Sequence, residues 1–164
     1  MDPTLDNPFV ILSYIAGPAL LTNACSLLVL AVTNRFGRSV DRARQLSAEL
    51  CSAPASLLPV LRRDLEANQR RARVIAFALG ALYLASGMFA LATMLSIVGA
   101  AFAHVGIDAV LGVDVIAAAV AGGVGFLALL AAAVALIMES RLALAALMLE
   151  AEETELRLLS NSTS

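Results

Sequence analysis

The sequence predicts an all-α membrane fold: three transmembrane helices, with a cytoplasmic helical hairpin and a C-terminal helix forming a bundle. Three observations point there. Apolar residues fill 60% of the 164 positions and charged residues only 15%, whereas about a quarter of an ordinary soluble domain is charged. Three uncharged stretches are each long enough to cross a bilayer, which takes about 20 residues. Nine of the eleven basic residues are crowded between the first two stretches: Arg35, Arg38, Arg42, Arg44, Arg62, Arg63, Arg70, Arg71 and Arg73. An excess of positive charge marks the cytoplasmic side. All eleven are Arg, which fits codon bias in a GC-rich, Ala-rich chain or a preference for phosphate-binding guanidinium groups.

Residues 1–8 are expected outside, and residues 9–33 form the first span, between Asp6 and Arg35. A cleaved signal peptide would start with basic residues and have a shorter apolar core; Asp2 and Asp6, with no basic residue, argue against one. This span holds most of the intramembrane polarity: Ser13, Tyr14, Thr22, Asn23, Ser26 and Thr33. Thr22, Ser26 and Thr33 fall on nearly one stripe, and Asn23 sits close to mid-span. An amide in hydrocarbon is expensive unless hydrogen-bonded, so Asn23 needs a partner. One reading is an interhelical bond, worth about 0.5–2 kcal/mol. The other is that Thr22, Asn23, Ser26 and Thr33 line a pore or water-filled cavity. Pro18, after Gly17, removes a helical hydrogen bond and predicts a kink.

Residues 34–73 read as an Arg-rich cytoplasmic hairpin. Phe36, Val40, Ala43, Leu46 or Ser47, and Leu50 recur at helical spacing, as do Leu58, Leu61, Leu65, Ala72 and Ile75. Ser52-Ala53-Pro54-Ala55-Ser56 between them is a turn. Arg62, Glu66 and Arg70 are spaced for i, i+4 pairing, and Asp41 is three residues from both Arg38 and Arg44. Arg35, Arg38 and Arg42 share a face at the membrane edge. They face lipid or anions, because the guanidinium fork suits phosphate headgroups, or they ring a vestibule in an oligomer.

Residues 74–102 form the second span, 103–114 an external loop without Arg, 115–138 the third span, and 139–164 a cytoplasmic helix and tail. The third span is rich in small residues four apart, Ala118 with Gly122 and Ala121 with Gly125. Such faces let helix backbones approach closely, within one subunit or between copies. Ala81 and Ala85 repeat the idea in span two. In the tail, Leu142, Ala145, Leu149, Leu156 and Leu159 make a short stripe. Glu150, Glu152, Glu153 and Glu155 are placed to meet the Arg-rich hairpin, and 160–164 are expected disordered.

Much chemistry is missing. None of the three apolar cores holds a charge, which argues against a proton-coupled mechanism built on intramembrane carboxylates. His104 with Asp108 and Asp114 lacks zinc-site spacing. The two cysteines, Cys25 and Cys51, fit no metal or disulfide pattern. There is no phosphate loop, dinucleotide fingerprint or nucleophile motif, so no enzyme activity, cofactor or metal is expected. The Arg-rich segment lacks interleaved aromatics, so no nucleic-acid partner is expected either.

The order Thr33-Asn34-Arg35, Arg38, Val40-Asp41-Arg42-Ala43-Arg44, Leu46 resembles a family of small bacterial membrane proteins filed as a domain of unknown function. Pro18 upstream, Arg70-Arg71 before span two, and Glu139 to Leu144 after span three extend the likeness over most of the chain. The resemblance implies a topology and the bacterial inner membrane, and no activity. With the charge asymmetry it places the N-terminus outside and the C-terminus in the cytoplasm. Two functions are then expected. One is a homo-oligomer with an ion-conducting pore lined by span one. The other is a non-conducting structural or regulatory protein whose cytoplasmic helices bind a partner protein or anionic lipid.

Overall fold

A computed structural model describes residues 8–105 and 108–162, and these form three α-helices: α1 (Pro8–Ser52), α2 (Leu58–Val105) and α3 (Asp108–Ser162). The protein is all-α. Each helix contains a segment long and apolar enough to cross a membrane, within Ala16–Ser52, Leu58–Phe102 and Gly112–Leu144.

The helix ends follow from local chemistry. Pro8 opens α1, where the missing N–H would have had no intrahelical acceptor. Helix α1 passes unbroken through Pro18. It stops at Ser52, two residues before Pro54, whose ring disfavours helical geometry at the residue before it. The Leu57 N–H then donates to the Pro54 carbonyl (3.0 Å), and the Leu61 N–H donates to the Leu57 carbonyl (3.1 Å). The second bond is the first of α2, so Pro59 falls in the first turn, where no donor is missed. A tight turn over residues 53–57 thus joins α1 to α2.

At two places helix extends further than the sequence suggests. The external loop expected over 103–114 is helical up to Val105 and again from Asp108. Nothing in it forces a longer break: it has no Pro, and Asp is a residue type favoured where a helix starts. Residues 106 and 107, the N-terminal residues 1–7, and residues 163 and 164 lie outside the described residues. The expected disordered tail is helical through Ser162. The side chains of His104, Asp108 and Glu150 to Glu155, and with them the suggested cation site and acidic contact, also lie outside the described residues.

The chain divides into two compact units, the first built from Met1–Asn34 and Ala78–Ala132, the second from Arg35–Phe77 and Ala133–Ser164. The first packs around Cys25, Ala85, Phe89 and Ala128, with Leu129 against them. Its helices approach closely because the facing residues are small. A Cβ added to Gly125 would lie 3.0 Å from two carbons of the Phe89 ring and 3.3 Å from the Ala85 carbonyl. In the second unit Leu46, Ile75 and Ala135 are buried.

The buried positions obey one rule. On α2 they are Ile75, Ala78, Leu82, Ala85, Phe89 and Ala92, with Gly99 a further seven residues on; among the residues of α3 with described side chains they are Ala121, Gly125, Ala128, Ala132, Ala135 and Glu139. Both series alternate steps of four and three, the repeat of a knobs-into-holes seam, and the step of seven to Gly99 keeps the register. The last member on α3 is a carboxylate.

Candidate functional site

Glu139 is only 4% exposed, and a buried carboxylate needs compensation. Arg71 of α2 donates from Nη2 to Oε1 at 2.6 Å, and Arg35 of α1 donates from Nη1 to Oε2 at 3.4 Å. One carboxylate from α3 therefore holds a guanidinium from each of the other two helices. Arg71 continues the α2 seam, four residues before Ile75, whereas on α1 the same steps run through Val32, Phe36, Ser39, Ala43 and Leu46, and Arg35 lies beside Phe36. The Arg side chains are 40% and 50% exposed, so each keeps donors facing outward. The exception is Arg71 Nε, which is buried and has no partner among the described residues.

A second polar contact joins α1 to α2. The Asn68 amide donates to the Ser39 carbonyl (2.9 Å), and the Ser39 hydroxyl donates to the Asn68 side-chain oxygen (3.2 Å). Ser39 and Asn68 also occupy half-buried seam positions, so the second unit replaces part of its apolar seam with paired polar groups.

Around these contacts lies a shell of basic charge. Over residues 35–77 and 133–144 there are ten arginines against five carboxylates, Asp41, Glu49, Asp64, Glu66 and Glu139. Among the described residues, only Glu139 forms ion pairs within 4.0 Å. The spacings expected to pair Arg62 with Glu66 and Asp41 with Arg38 or Arg44 do not close. These side chains are exposed, where water competes and holding two long chains together costs entropy. Arg38, Arg42, Arg44, Arg62, Arg63, Arg70, Arg73 and Arg141 are all exposed.

A groove of about 370 Å³ runs between α1 and α2 in the second unit. Phe36, Val40, Ala43, Leu65 and Ala72 form its apolar walls, and Ser39, Arg44, Ser47 and Gln69 supply its polar groups.

A sequence family described as a protein of unknown function, DUF2721, matches residues 15–149. The chain belongs to this family. No curated protein and no solved structure matches the chain. The DUF2721 match contains the groove, both polar contacts and all three apolar segments. Three stretches carried the likeness in the sequence: the one around Arg35, the Arg70-Arg71 pair and the one opening at Glu139. Each supplies one member of the charge cluster.

The polar residues of α1 divide. The Thr22 hydroxyl is half-buried and donates to the Pro18 carbonyl of its own helix (2.9 Å). The Ser26 hydroxyl donates to the Thr22 carbonyl (3.0 Å). Both are satisfied within α1. Asn23, Ser26 and Thr33 are exposed, and among the described residues the Asn23 amide has no hydrogen-bond partner. In the small-residue face of α3, Ala121 and Gly125 are buried while Ala118 and Gly122 are half-buried. Gly125 meets α2 of the same chain, whereas a Cβ on Gly122 would touch nothing within 4 Å. Of the arginines expected to face lipid, Arg38 and Arg42 are exposed and in no ion pair among the described residues, and Arg35 pairs with Glu139.

Sequence reasoning missed the cluster because it read Glu139 as the charge ending an apolar stretch and as part of the family likeness, and not as a buried partner for the arginines. The signal was there: the steps of four and three through Ala121, Ala128 and Ala135 lead to Glu139.

Proposed function

We propose that this is a multi-pass protein of the bacterial inner membrane whose Arg-rich helices engage anionic phospholipid headgroups, with the N-terminus outside and the C-terminus in the cytoplasm. One observation carries the reading: eight exposed arginines, of which Arg38, Arg42, Arg70, Arg73 and Arg141 lie within about two helical turns of an apolar segment, make no ion pair among the described residues. Arginine clusters beside a transmembrane helix attract anionic lipid, at about 1 kcal/mol per residue near the surface. On this reading the protein is structural or regulatory, and not an enzyme. The test is native mass spectrometry from nanodiscs of mixed phosphatidylglycerol and phosphatidylcholine. Replacing Arg38, Arg42, Arg70 and Arg73 by Gln should cut the retained phosphatidylglycerol severalfold and leave phosphatidylcholine unchanged. Equal retention of both lipids by the variant and the parent would overturn the reading.

A specific observation favours a second reading, a homo-oligomer with a pore lined by α1. The apolar window of α1 is 11% buried, against 28% for those of α2 and α3, and its exposed side includes Asn23, Ser26 and Thr33. An uncovered amide in hydrocarbon calls for another helix or water. Here Asn23→Leu should abolish ion flux through reconstituted protein while the oligomer persists. Undiminished flux would dispose of the pore.

A further inference from the structure

We propose that the groove between α1 and α2 seats a single anionic phospholipid, with an acyl chain along its apolar walls and the phosphate at Arg44. The inference deepens the lipid-facing reading above and rests on it, but it names a discrete site where that reading has only a charged shell.

The chemistry of the walls sets the class of ligand. Phe36, Val40, Ala43, Leu65 and Ala72 give an apolar trough, and among the described residues no carboxylate lines it. Among the described residues, Arg44 is the one charged wall residue. Leu65 and Gln69 lie on a stripe of α2 that continues to Arg62 three residues before Leu65 and to Arg73 four residues after Gln69, and both are exposed. An occupant must therefore be apolar along its length and anionic at its head. A zwitterionic lipid would bring an ammonium group into a basic surround.

Length and volume agree with one chain. From Phe36 to Ser47 the α1 wall runs about 16 Å at 1.5 Å per residue. The groove's 370 Å³ is near the lower end for small-ligand sites, the scale of one acyl chain, which leaves the headgroup at the exposed Arg44 end and the second chain outside. Its position along the sequence supplies the route of entry. Phe36 lies two residues after Asn34, where the apolar stretch of α1 ends, and Ala72 lies two residues before Val74, where that of α2 begins. That end of the groove starts where the apolar stretches end, so the headgroup enters first and the acyl chain trails back along the apolar walls toward the bilayer. Arg44, eight residues from Phe36, is at the opposite part of the trough.

The experiment measures stoichiometric lipid in native mass spectra of full-length protein from nanodiscs of phosphatidylglycerol and phosphatidylcholine. The parent protein should keep one phosphatidylglycerol per chain at activation energies that strip the remainder. Ala43→Phe fills the trough without altering a charge, and Arg44→Gln removes the headgroup contact; each should lower occupancy of that last lipid at least tenfold. Ser47→Phe obstructs the same trough from an exposed position and covers the case in which Ala43→Phe does not fold. Arg38→Gln with Arg42→Gln should thin the general anionic shell and spare the last lipid, so failure of the shell and failure of the site are separable. Unchanged occupancy in folded Ser47→Phe and Arg44→Gln would overturn the site, as would equal retention of phosphatidylcholine. A loss of oligomer without loss of lipid in Ser47→Phe would overturn it too, by showing a second copy in the groove.

Discussion

Glu139 shows how much one side chain can organise. Its carboxylate is nearly out of water and is balanced by Arg71 at 2.6 Å and Arg35 at 3.4 Å. Burying a charge pair gives little net stability, because desolvation offsets attraction, but removing one partner strands the other. Arg71→Gln should therefore destabilise by about 2–4 kcal/mol, at or below the usual range for a broken buried pair because the guanidinium is partly exposed. Glu139→Gln should cost less, about 1–3 kcal/mol, because the arginines it releases can turn to water. The double variant should recover part of the loss, and melting curves of all four proteins in one detergent test that coupling. Strict additivity would mean that the two residues do not act on each other. A second residue-scale contrast lies in α3. Gly125→Ala drives a methyl against the Phe89 ring and should destabilise by about 1 kcal/mol or more. Gly122→Ala has open space and should be neutral or stabilising by up to about 1 kcal/mol, from helix propensity alone. The sequence showed both glycines as small residues four apart from alanines. It did not show which face meets α2, because two small-residue pairs offset by three positions look alike until a neighbour such as Phe89 is placed.

At the scale of elements, what was legible follows from what ends a helix. The turn before α2 was legible because Pro54 acts through its own ring. The break between α2 and α3 was read as a twelve-residue loop because His104, Asp108 and Asp114 look polar against their surroundings, yet polarity alone does not stop a helix and the described residues on both sides are helical. The charge cluster was missed for a related reason: charged residues were used as boundary marks, while the step of four from Ala135 carried Glu139 inward. The same seam makes a prediction about the pairing of α1 with α2. Asn68→Ala removes both contacts to Ser39, one to a backbone carbonyl, and should lower stability by about 1 kcal/mol. The change in melting temperature should come without loss of the phospholipid retained in the groove, since Asn68 does not line it. A loss of lipid as large as that in Arg44→Gln would mean that the Ser39–Asn68 contact shapes the groove.

For the whole molecule, the question that decides among functions is which side of the membrane the arginines occupy. Their distribution argues for the cytoplasm: nine lie between the first two apolar segments and none between the second and third. Moving that hairpin across a bilayer would carry nine guanidinium groups through hydrocarbon, at about 2.5–3.5 kcal/mol each even on the insertion scale. The chain carries its own reporter of the outcome. Cys51 is exposed at the end of α1, next to the turn, and Cys25 is buried in the core of the first unit. A membrane-impermeant maleimide should therefore label one cysteine, Cys51, in inverted inner-membrane vesicles and in permeabilised cells. It should label neither in intact spheroplasts, and Cys51→Ser should abolish the signal. Labelling of Cys51 in intact spheroplasts would put the hairpin outside. The exposed arginines would then face the outer leaflet, and both the anionic-lipid reading and the groove would need a ligand from that side.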